Sequence, residues 1–266
     1  MERQQPIGLF DSGVGGLSIA HAIRQRYPEE NIIYFADLKF SPYGVKSKNI
    51  INKRSDQIVD FLINEGCKAI VVACNTATVS SISRLRSKYS VPIVGVEPGI
   101  KPAALHSKTG RVGVLATERT LKSESFESLK LRCSTEATVI SKACPDFIPL
   151  VEGLKHNTDQ AFDVAQAYIR PLLLEGCDQI VLGCTHFSFL RSTIEKVVEG
   201  KATVIDTADS VALELGRRLG KADQLNSKGG RVKTQFWTSS DSETALKAIS
   251  ALWGDEVDLS EVGALT

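Results

Sequence analysis

The sequence predicts an α/β protein with two pseudo-symmetric, doubly wound parallel-sheet domains and the active site in the cleft between them. Three observations predict this class. Short, continuously apolar segments alternate with longer helical segments, the predicted strands are too numerous for one small sheet, and one stretch of the chain repeats. A strand that is apolar throughout is typical of a parallel sheet covered by helices on both faces.

The predicted strands are short segments rich in Val and Ile. They cover residues 7–10, 31–36, 69–73, 92–95, 111–116, 136–141, 179–183, 203–206 and 232–238. Stretches long enough for helices lie between them, at residues 47–65, 159–175, 188–198 and 210–219. This alternation predicts βαβ units, and so many strands favour two domains over one.

An internal repeat supports the division into two halves. Residues 65–76 (EGCKAIVVACNT) recur as residues 175–186 (EGCDQIVLGCTH), with six of twelve positions identical. A weaker echo relates residues 7–12 to residues 112–117. In each half a strand ends in a polar turn that leads into a helix. The two halves are therefore expected to be related, with a boundary near residues 97–101.

Composition and charge exclude several classes of function. The chain has 266 residues, a formal net charge of +1, 42% hydrophobic and 24% charged residues, which is a globular mixture. The balanced charge argues against a broad nucleic-acid surface and leaves a local patch open. No apolar run approaches the ~18 residues of a membrane span, and the start lacks the hydrophobic region of a signal peptide. We therefore expect a cytoplasmic protein with neither a membrane nor a nucleic-acid partner.

Most of the six cysteines are expected to be structural. None has CxxC spacing, which argues against zinc-ribbon and thioredoxin-like sites. Cys67 and Cys177 precede apolar strands, while Cys133 and Cys144 have no functional context. Free cysteines commonly behave as small buried hydrophobic residues, so we expect that role for these four.

Cys74 and Cys184 differ because each follows the last apolar residue of a strand. In open α/β sheets, ligands bind outside the carboxyl ends of parallel strands. A helix is predicted after each cysteine, and the positive end of a helix dipole favours a thiolate. The sequence therefore predicts two ligand-facing thiols, one in each half.

Two such thiols suit the inversion of a stereocentre. One thiolate removes a proton from one face of a carbon, a thiol on the other face delivers one, and the roles exchange in the reverse direction. Two alternatives remain at this point: a thiol redox enzyme and a non-catalytic amino-acid-binding module. Exchange of an α-proton in deuterated water separates a racemase from both.

Four motifs and a linking segment resemble the motif set of bacterial glutamate racemase. They are residues 11–17 (DSGVGGL), 42–44 (PYG), 73–78 (ACNTAT) and 183–186 (GCTH), with 98–103 (PGIKPA) as the link. Each motif is weak alone, whereas the set in this order spans nearly the whole chain. One departure is that the family usually continues Tyr-Pro after the last motif, where this chain has Phe187-Ser188. The change touches a predicted helix start, so the expected activity stands.

The resemblance implies a racemase that interconverts L- and D-glutamate without cofactor or metal and supplies D-glutamate for peptidoglycan. It also implies a discontinuous first domain, residues 1–97 with 208–266, around a second domain at 98–207. Aspartate racemase, or a related two-cysteine racemase, is the alternative within the superfamily. A homodimer and activation by a peptidoglycan precursor are left open by the sequence.

The resemblance assigns Cys74 and Cys184 as the acid/base pair, helped by Asp11, His186 and Glu152. It assigns substrate binding to Asp11, Ser12, Pro42, Tyr43, Gly44, Asn75, Thr76, Thr185 and His186. For some of these residues an ordinary structural role is the alternative: a turn or helix cap for Asp11, a buried structural histidine for His186, a helix start for Glu152 and a turn aromatic for Tyr43.

The glycine-rich turn after Asp11 matches neither the phosphate-loop nor the dinucleotide pattern. We therefore expect its backbone N–H groups, with Ser12, to hold the carboxylate of an amino acid, since glycines permit close approach.

Overall fold

The computed structural model describes residues 3–226, 232–240, 242–263 and 265. The chain divides into two compact units: unit 1 is Met1–Val96 with Ala208–Thr266, and unit 2 is Glu97–Thr207. Glu97, which we expected to close the first domain, lies in unit 2. Within the described residues, no helix combines the length and the apolar character needed to cross a membrane.

Strands and helices alternate along most of the chain. The strands are β1 (Ile7–Asp11), β2 (Ile32–Ala36), β3 (Ala69–Val72), β4 (Ile93–Gly95), β5 (Arg111–Ala116), β6 (Thr138–Ala143), β7 (Gln179–Gly183), β8 (Thr203–Ile205), β9 (Thr234–Thr238) and β10 (Leu259–Glu261). The helices are α1 (Leu17–Arg26), α2 (Lys48–Asn64), α3 (Asn75–Lys88), α4 (Ile100–His106), α5 (Glu118–Leu121), α6 (Glu124–Arg132), α7 (Phe147–Glu152), α8 (Asp159–Leu174), α9 (Arg191–Val198), α10 (Ala208–Lys221) and α11 (Ser242–Trp253). Short 3₁₀ helices cover Leu38–Phe40, Tyr43–Val45 and Thr185–Leu190.

Unit 1 is built around a parallel sheet. Among its described residues the strand order is β10-β9-β2-β1-β3-β4, and every pairing is parallel. Strands β1, β2 and β3 are buried along their whole length, which is why they read as continuously apolar segments. The carboxyl-terminal strand β9 pairs with β2, so this part of the chain completes the sheet of unit 1.

Unit 2 repeats the central part of that topology. Its described strands follow the order β6-β5-β7-β8, all parallel, which matches β2-β1-β3-β4 in unit 1. The repeat seen in the sequence therefore relates β3 to β7, and the weaker echo relates β1 to β5. The predicted class, two α/β parts with parallel sheets, is confirmed.

Helix ends in both units follow local capping chemistry. The hydroxyl of Ser47 caps α2, with its oxygen 3.4 Å from the backbone nitrogen of Ile50, and Thr158 caps α8 in the same way. Such caps satisfy backbone N–H groups that have no partner inside the helix. These two helices accordingly lie within a residue of their predicted ends.

The segment after Cys184 differs from the prediction. We expected a helix over residues 188–198, whereas a 3₁₀ helix covers Thr185–Leu190 and α9 begins only at Arg191. Strand β10, at the edge of the sheet in unit 1, was not predicted.

Candidate active site

The reversal point of the sheet in unit 1 lies between β1 and β3. From β1, the chain adds β2 on one side and β3 on the other. Open α/β sheets bind ligands at such a point, beyond the carboxyl ends of the strands. Asp11 is the last residue of β1, and Cys74 follows β3 and immediately precedes α3. Two of the predicted residues therefore occupy the position that topology favours.

Backbone N–H groups of the glycine turn hold the Asp11 carboxylate. Asp11 is fully buried, and its Oδ2 accepts hydrogen bonds from the nitrogens of Gly13 and Gly16, each at 3.2 Å. A Cβ on Gly16 would stand 2.8 Å from the Cβ of Asp11, so only glycine permits this approach. We expected these N–H groups to hold a substrate carboxylate. In the structure the N–H groups of Gly13 and Gly16 donate to Asp11 instead, and their binding of a substrate carboxylate stays a prediction.

Cys74 caps the first turn of α3. Its sulfur accepts from the backbone nitrogen of Ala77 at 3.5 Å, and its thiol lies 3.8 Å from the hydroxyl oxygen of Ser12. Cys74 is buried, with 5% of the residue exposed. N–H groups at a helix start carry partial positive charge, so this position stabilises a thiolate.

Asn75 and Thr76 form the start of α3, directly after Cys74. Both are buried, and the Asn75 amide nitrogen lies 3.4 Å from the carbonyl oxygen of Val96, to which it donates. These two residues therefore share the strand-end position of the thiol.

Tyr43 is anchored by a buried ion pair that the sequence reading missed. Its hydroxyl donates to Asp37 Oδ2 at 2.5 Å. Arg54 donates from Nε and Nη2 to the two oxygens of Asp37, at 3.0 and 2.7 Å. Burial raises the pKa of Tyr43 well above its usual value, and the charges of Asp37 and Cys74 raise it further. Pro42 and Gly44 flank Tyr43, which begins the 3₁₀ helix Tyr43–Val45.

The sheet in unit 2 reverses between β5 and β7. Thr117 follows β5 and Cys184 follows β7, so they stand where Ser12 and Cys74 stand relative to their own strands. Thr117, Cys184 and the adjacent Thr185 are buried. The topology of unit 2 thus gives its thiol the same strand-end position as the thiol of unit 1.

Cys184 begins a chain of polar groups within unit 2. Its sulfur lies 4.0 Å from His186 Nδ1, and His186 Nε2 lies 3.3 Å from Glu152 Oε1. The His186 side chain is 2% exposed and that of Glu152 is 28% exposed. An imidazole that donates from Nε2 to the carboxylate presents Nδ1 as an acceptor, so the arrangement can take a proton from the thiol.

Local structure explains why the two thiols have different neighbours. The 3₁₀ helix after Cys184 is short, and the sulfur makes no cap bond to it, unlike Cys74 at the start of α3. A helix dipole therefore contributes less at Cys184, where the imidazole of His186 supplies the polar partner instead.

Three other thiols have raised pKa values that make them poor nucleophiles at neutral pH. Burial raises the pKa of Cys67 to about 12 and that of Cys177 to about 11. Burial also raises the pKa of Cys144, and the charge of Cys184 adds to the effect. These thiols remain protonated near neutral pH, as expected for structural cysteines.

Among the described residues, no group of three or more His, Cys, Asp or Glu side chains could hold a metal ion. A cavity of about 350 Å³ in unit 1 is lined by Lys39, Lys53, Arg54, Gln57 and their neighbours. None of the predicted site residues lines this cavity.

Comparison with known proteins identifies the family. A family model described as Asp/Glu/hydantoin racemase matches residues 17–215. The chain belongs to this racemase family. A glutamate racemase of Pseudomonas putida is 42% identical over 259 residues, which are 97% of each chain.

Solved structures of racemases agree. A glutamate racemase isoform from Bacillus anthracis superposes with a TM-score of 0.88 at 31% identity, covering 98% of both chains. The structure of Escherichia coli glutamate racemase, solved with L-glutamate and the activator UDP-MurNAc-Ala, superposes with a TM-score of 0.87 at 31% identity. The match covers 98% of this chain and 100% of that chain.

One sequence departure of this racemase has a structural role. Phe187 is fully buried, and its ring meets that of Phe147 edge to face, with centroids 4.9 Å apart. Phe147 begins α7, the helix that ends at Glu152. The aromatic contact therefore links the segment carrying His186 to the helix carrying its carboxylate partner.

Asp37 and Arg54 are the residues in this racemase that the sequence reading overlooked. Asp37 follows the apolar strand β2, so the strand-end rule that selected Asp11 could also have selected it. Arg54 lies on the buried face of α2, between Ile51 and Ile58. A cation inside an apolar helical stripe is a signal for a buried partner.

Proposed function

We propose that the chain is a cofactor-independent glutamate racemase that interconverts L- and D-glutamate by two-cysteine acid/base chemistry. The observation that carries the proposal is that each unit presents one thiol at the reversal point of its sheet, with its own polar partners. One-base and metal-assisted schemes have no use for this duplication. The relatives that match nearly the whole chain at 40–42% identity are named glutamate racemases, which supports glutamate over aspartate as the substrate.

In the proposed reaction, the two thiols act on opposite faces of the α-carbon. Cys74 removes the α-proton of D-glutamate and Cys184 removes that of L-glutamate. In each direction the other thiol returns a proton to the opposite face. The electron pair left by the proton is held as a carbanion-like transition state, so nothing is oxidised or reduced.

The partners of each thiol handle its proton. On the Cys184 side, His186 takes or returns the thiol proton, and Glu152 stabilises the imidazolium that results. On the Cys74 side, the N–H groups of α3 stabilise the thiolate, and the anchored Asp11 carboxylate faces the substrate ammonium. Short polar side chains complete the site: Ser12, Asn75, Thr76 and Thr185 bind the carboxylates, and Pro42, Tyr43 and Gly44 form a wall.

Cysteine-to-serine variants test the mechanism. A serine hydroxyl keeps the shape of the side chain but is far less acidic than a thiol, so Cys74→Ser and Cys184→Ser should each abolish racemisation. The circular dichroism signal of glutamate measures this activity. Full activity in either variant would refute the two-thiol mechanism.

Half-reactions assign the faces. With 3-chloroglutamate, one base removes the α-proton, the C–H electron pair forms a Cα–Cβ double bond and chloride leaves. The enamine then hydrolyses to 2-oxoglutarate and ammonia. We expect Cys74→Ser to retain elimination from the L-isomer and Cys184→Ser to retain it from the D-isomer. Swapped preferences would overturn the assignment of faces while leaving two thiols in place.

The proposal extends to the cellular setting. A racemase of this kind acts in the cytoplasm, where D-glutamate enters peptidoglycan synthesis, and we propose that setting here. The Escherichia coli structure contains an activator, UDP-MurNAc-Ala, and we propose that a peptidoglycan precursor of this type also activates this chain. A rise in kcat/KM for glutamate on adding UDP-MurNAc-Ala would support activation by such a precursor, and an unchanged kcat/KM would refute it.

A further inference from the structure

A buried ion pair in unit 1 stands beside the Cys74 strand end without belonging to it. Asp37 follows β2, and its backbone nitrogen donates to the carbonyl oxygen of Asp11 at 3.0 Å. Arg54 reaches the Asp37 carboxylate with two donors, and the two side chains are 7% and 0% exposed. A pair this deep costs desolvation and is weak evidence for stability, so its position calls for another explanation.

The pair also holds the hydroxyl of Tyr43. That hydroxyl donates to the same carboxylate oxygen that Arg54 Nε contacts. Tyr43 is itself fully buried and lies in the same side-chain cluster as Cys74 and Ala77. The Tyr43 ring is therefore fixed at its hydroxyl end by an ion pair and packed within the cluster that contains the thiol.

We infer that Asp37 and Arg54 are positioning residues for the Cys74 half of the reaction, acting through the anchored ring of Tyr43. This inference rests on the proposed racemase function. The 3₁₀ helix that begins at Tyr43 contacts α3, the helix that Cys74 caps, and both residues belong to one apolar cluster. A Tyr43 ring that is free to move therefore changes the space and the orientation available to this thiol. The raised pKa of Tyr43, to which the charge of Cys74 contributes, supports their proximity.

The opposite end of the same strand provides a matched control. Glu30 precedes β2 and forms an equally buried ion pair with Lys68, which precedes β3; the side chains are 1% and 0% exposed and 2.5 Å apart. Glu30→Gln and Asp37→Asn therefore remove the same charge from comparable pairs. Only the Asp37–Arg54 pair lies at the carboxyl end of the sheet.

The test is elimination of chloride from the two isomers of 3-chloroglutamate. We expect Asp37→Asn to lower the ratio of D-isomer to L-isomer kcat/KM about tenfold, the scale of losing a hydrogen bond to a charged group. Tyr43→Phe should lower that ratio similarly, and the double variant should be no worse than either single one. Glu30→Gln should leave the ratio unchanged, even if it lowers the melting temperature.

The outcomes separate the two claims. An unaltered chain with neither racemisation nor elimination would overturn the proposed function and this inference together. An active chain in which Asp37→Asn lowers both isomers equally, or in which the two single effects add, would overturn this inference alone. If Asp37→Asn does not fold, Tyr43→Phe leaves the ion pair in place and decides by the same ratio.

Discussion

Replacing Glu152 with Gln tests the polar chain that begins at Cys184. The variant keeps an amide oxygen able to accept from His186 Nε2 but removes the negative charge that favours a protonated imidazole. The contact is 3.3 Å long and Glu152 is 28% exposed, so solvent and distance both weaken it. We therefore take the lower end of the range for hydrogen bonds to charged groups, about 1.5 kcal/mol. That free energy corresponds to roughly a tenfold loss in kcat/KM.

Racemisation of glutamate alone cannot say which thiol is affected. The two enantiomers have equal free energy in water, so kcat/KM must fall by the same factor in both directions. Elimination from 3-chloroglutamate removes this constraint because it needs only one base. Glu152→Gln should lower elimination from the L-isomer about tenfold and leave the D-isomer within about twofold.

A second carboxylate serves as the control. Glu195 lies on α9 and pairs with Arg191, with both side chains about half exposed (50% and 47%). Exposed pairs of this kind contribute little, so Glu195→Gln should change neither isomer. Unchanged L-elimination in Glu152→Gln, or an equal loss for both isomers, would refute the role given to Glu152.

Three further predictions concern metal, thiol reactivity and stability. Dialysis against a chelator should leave racemisation intact, and activity that is lost and then restored by a metal would contradict the proposed chemistry. Iodoacetamide at pH 8 should leave Cys67 and Cys177 unmodified in peptide maps, because with pKa values of about 12 and 11 they become thiolates only as the pH rises toward those values. The two strand-end thiols should react, and D-glutamate should protect them. Lys68→Met leaves the buried Glu30 without its ion-pair partner, so the free energy of unfolding in urea should fall by about 3–5 kcal/mol. A loss below about 1 kcal/mol would show that the pair is not needed.

The fold was predictable because its signals are local. Strands β1, β3, β5 and β7 are buried over most of their length, and only apolar, β-branched sequence suits such strands. The repeat then linked the two halves without any structural information. Edge strand β10 was not predicted, because it is only half-buried at Leu259 and Ser260 and exposed at Glu261, so its sequence has no apolar pattern.

The candidate site was predictable where one rule sufficed. Cys74 and Cys184 follow apolar strands and Asp11 ends one, and the strand ends of a parallel sheet meet at one edge of that sheet. Glu152 and His186 meet because α7 ends near the segment after β7, and their spacing along the chain carries no signal of that contact. Only the resemblance to a family placed Glu152 there. A rule that reads one strand at a time cannot find a contact made between a helix end and a turn.

The commitment of glycine N–H groups to Asp11 was also beyond sequence reasoning. A glycine-rich turn predicts N–H groups that can approach an anion, but not which anion they approach. In this protein the carboxylate is five residues or fewer from its donors, Gly13 and Gly16. A local acceptor needs no loop closure over a long stretch and is present before any ligand binds, so it takes these donors first.

The repeat gave both halves a thiol at the same strand position, yet the surroundings of the two thiols have diverged. Cys74 contacts an N–H group of α3 and the Ser12 hydroxyl, whereas Cys184 contacts an imidazole that is itself held by a carboxylate. A mirror-image pair of substrates does not require mirror-image bases, because equal free energies of L- and D-glutamate fix only the ratio of the two kcat/KM values. The separate kcat and KM values are free to differ between directions. Divergence of the half-sites can therefore tune how tightly each enantiomer is bound, without any change in the equilibrium that the enzyme approaches.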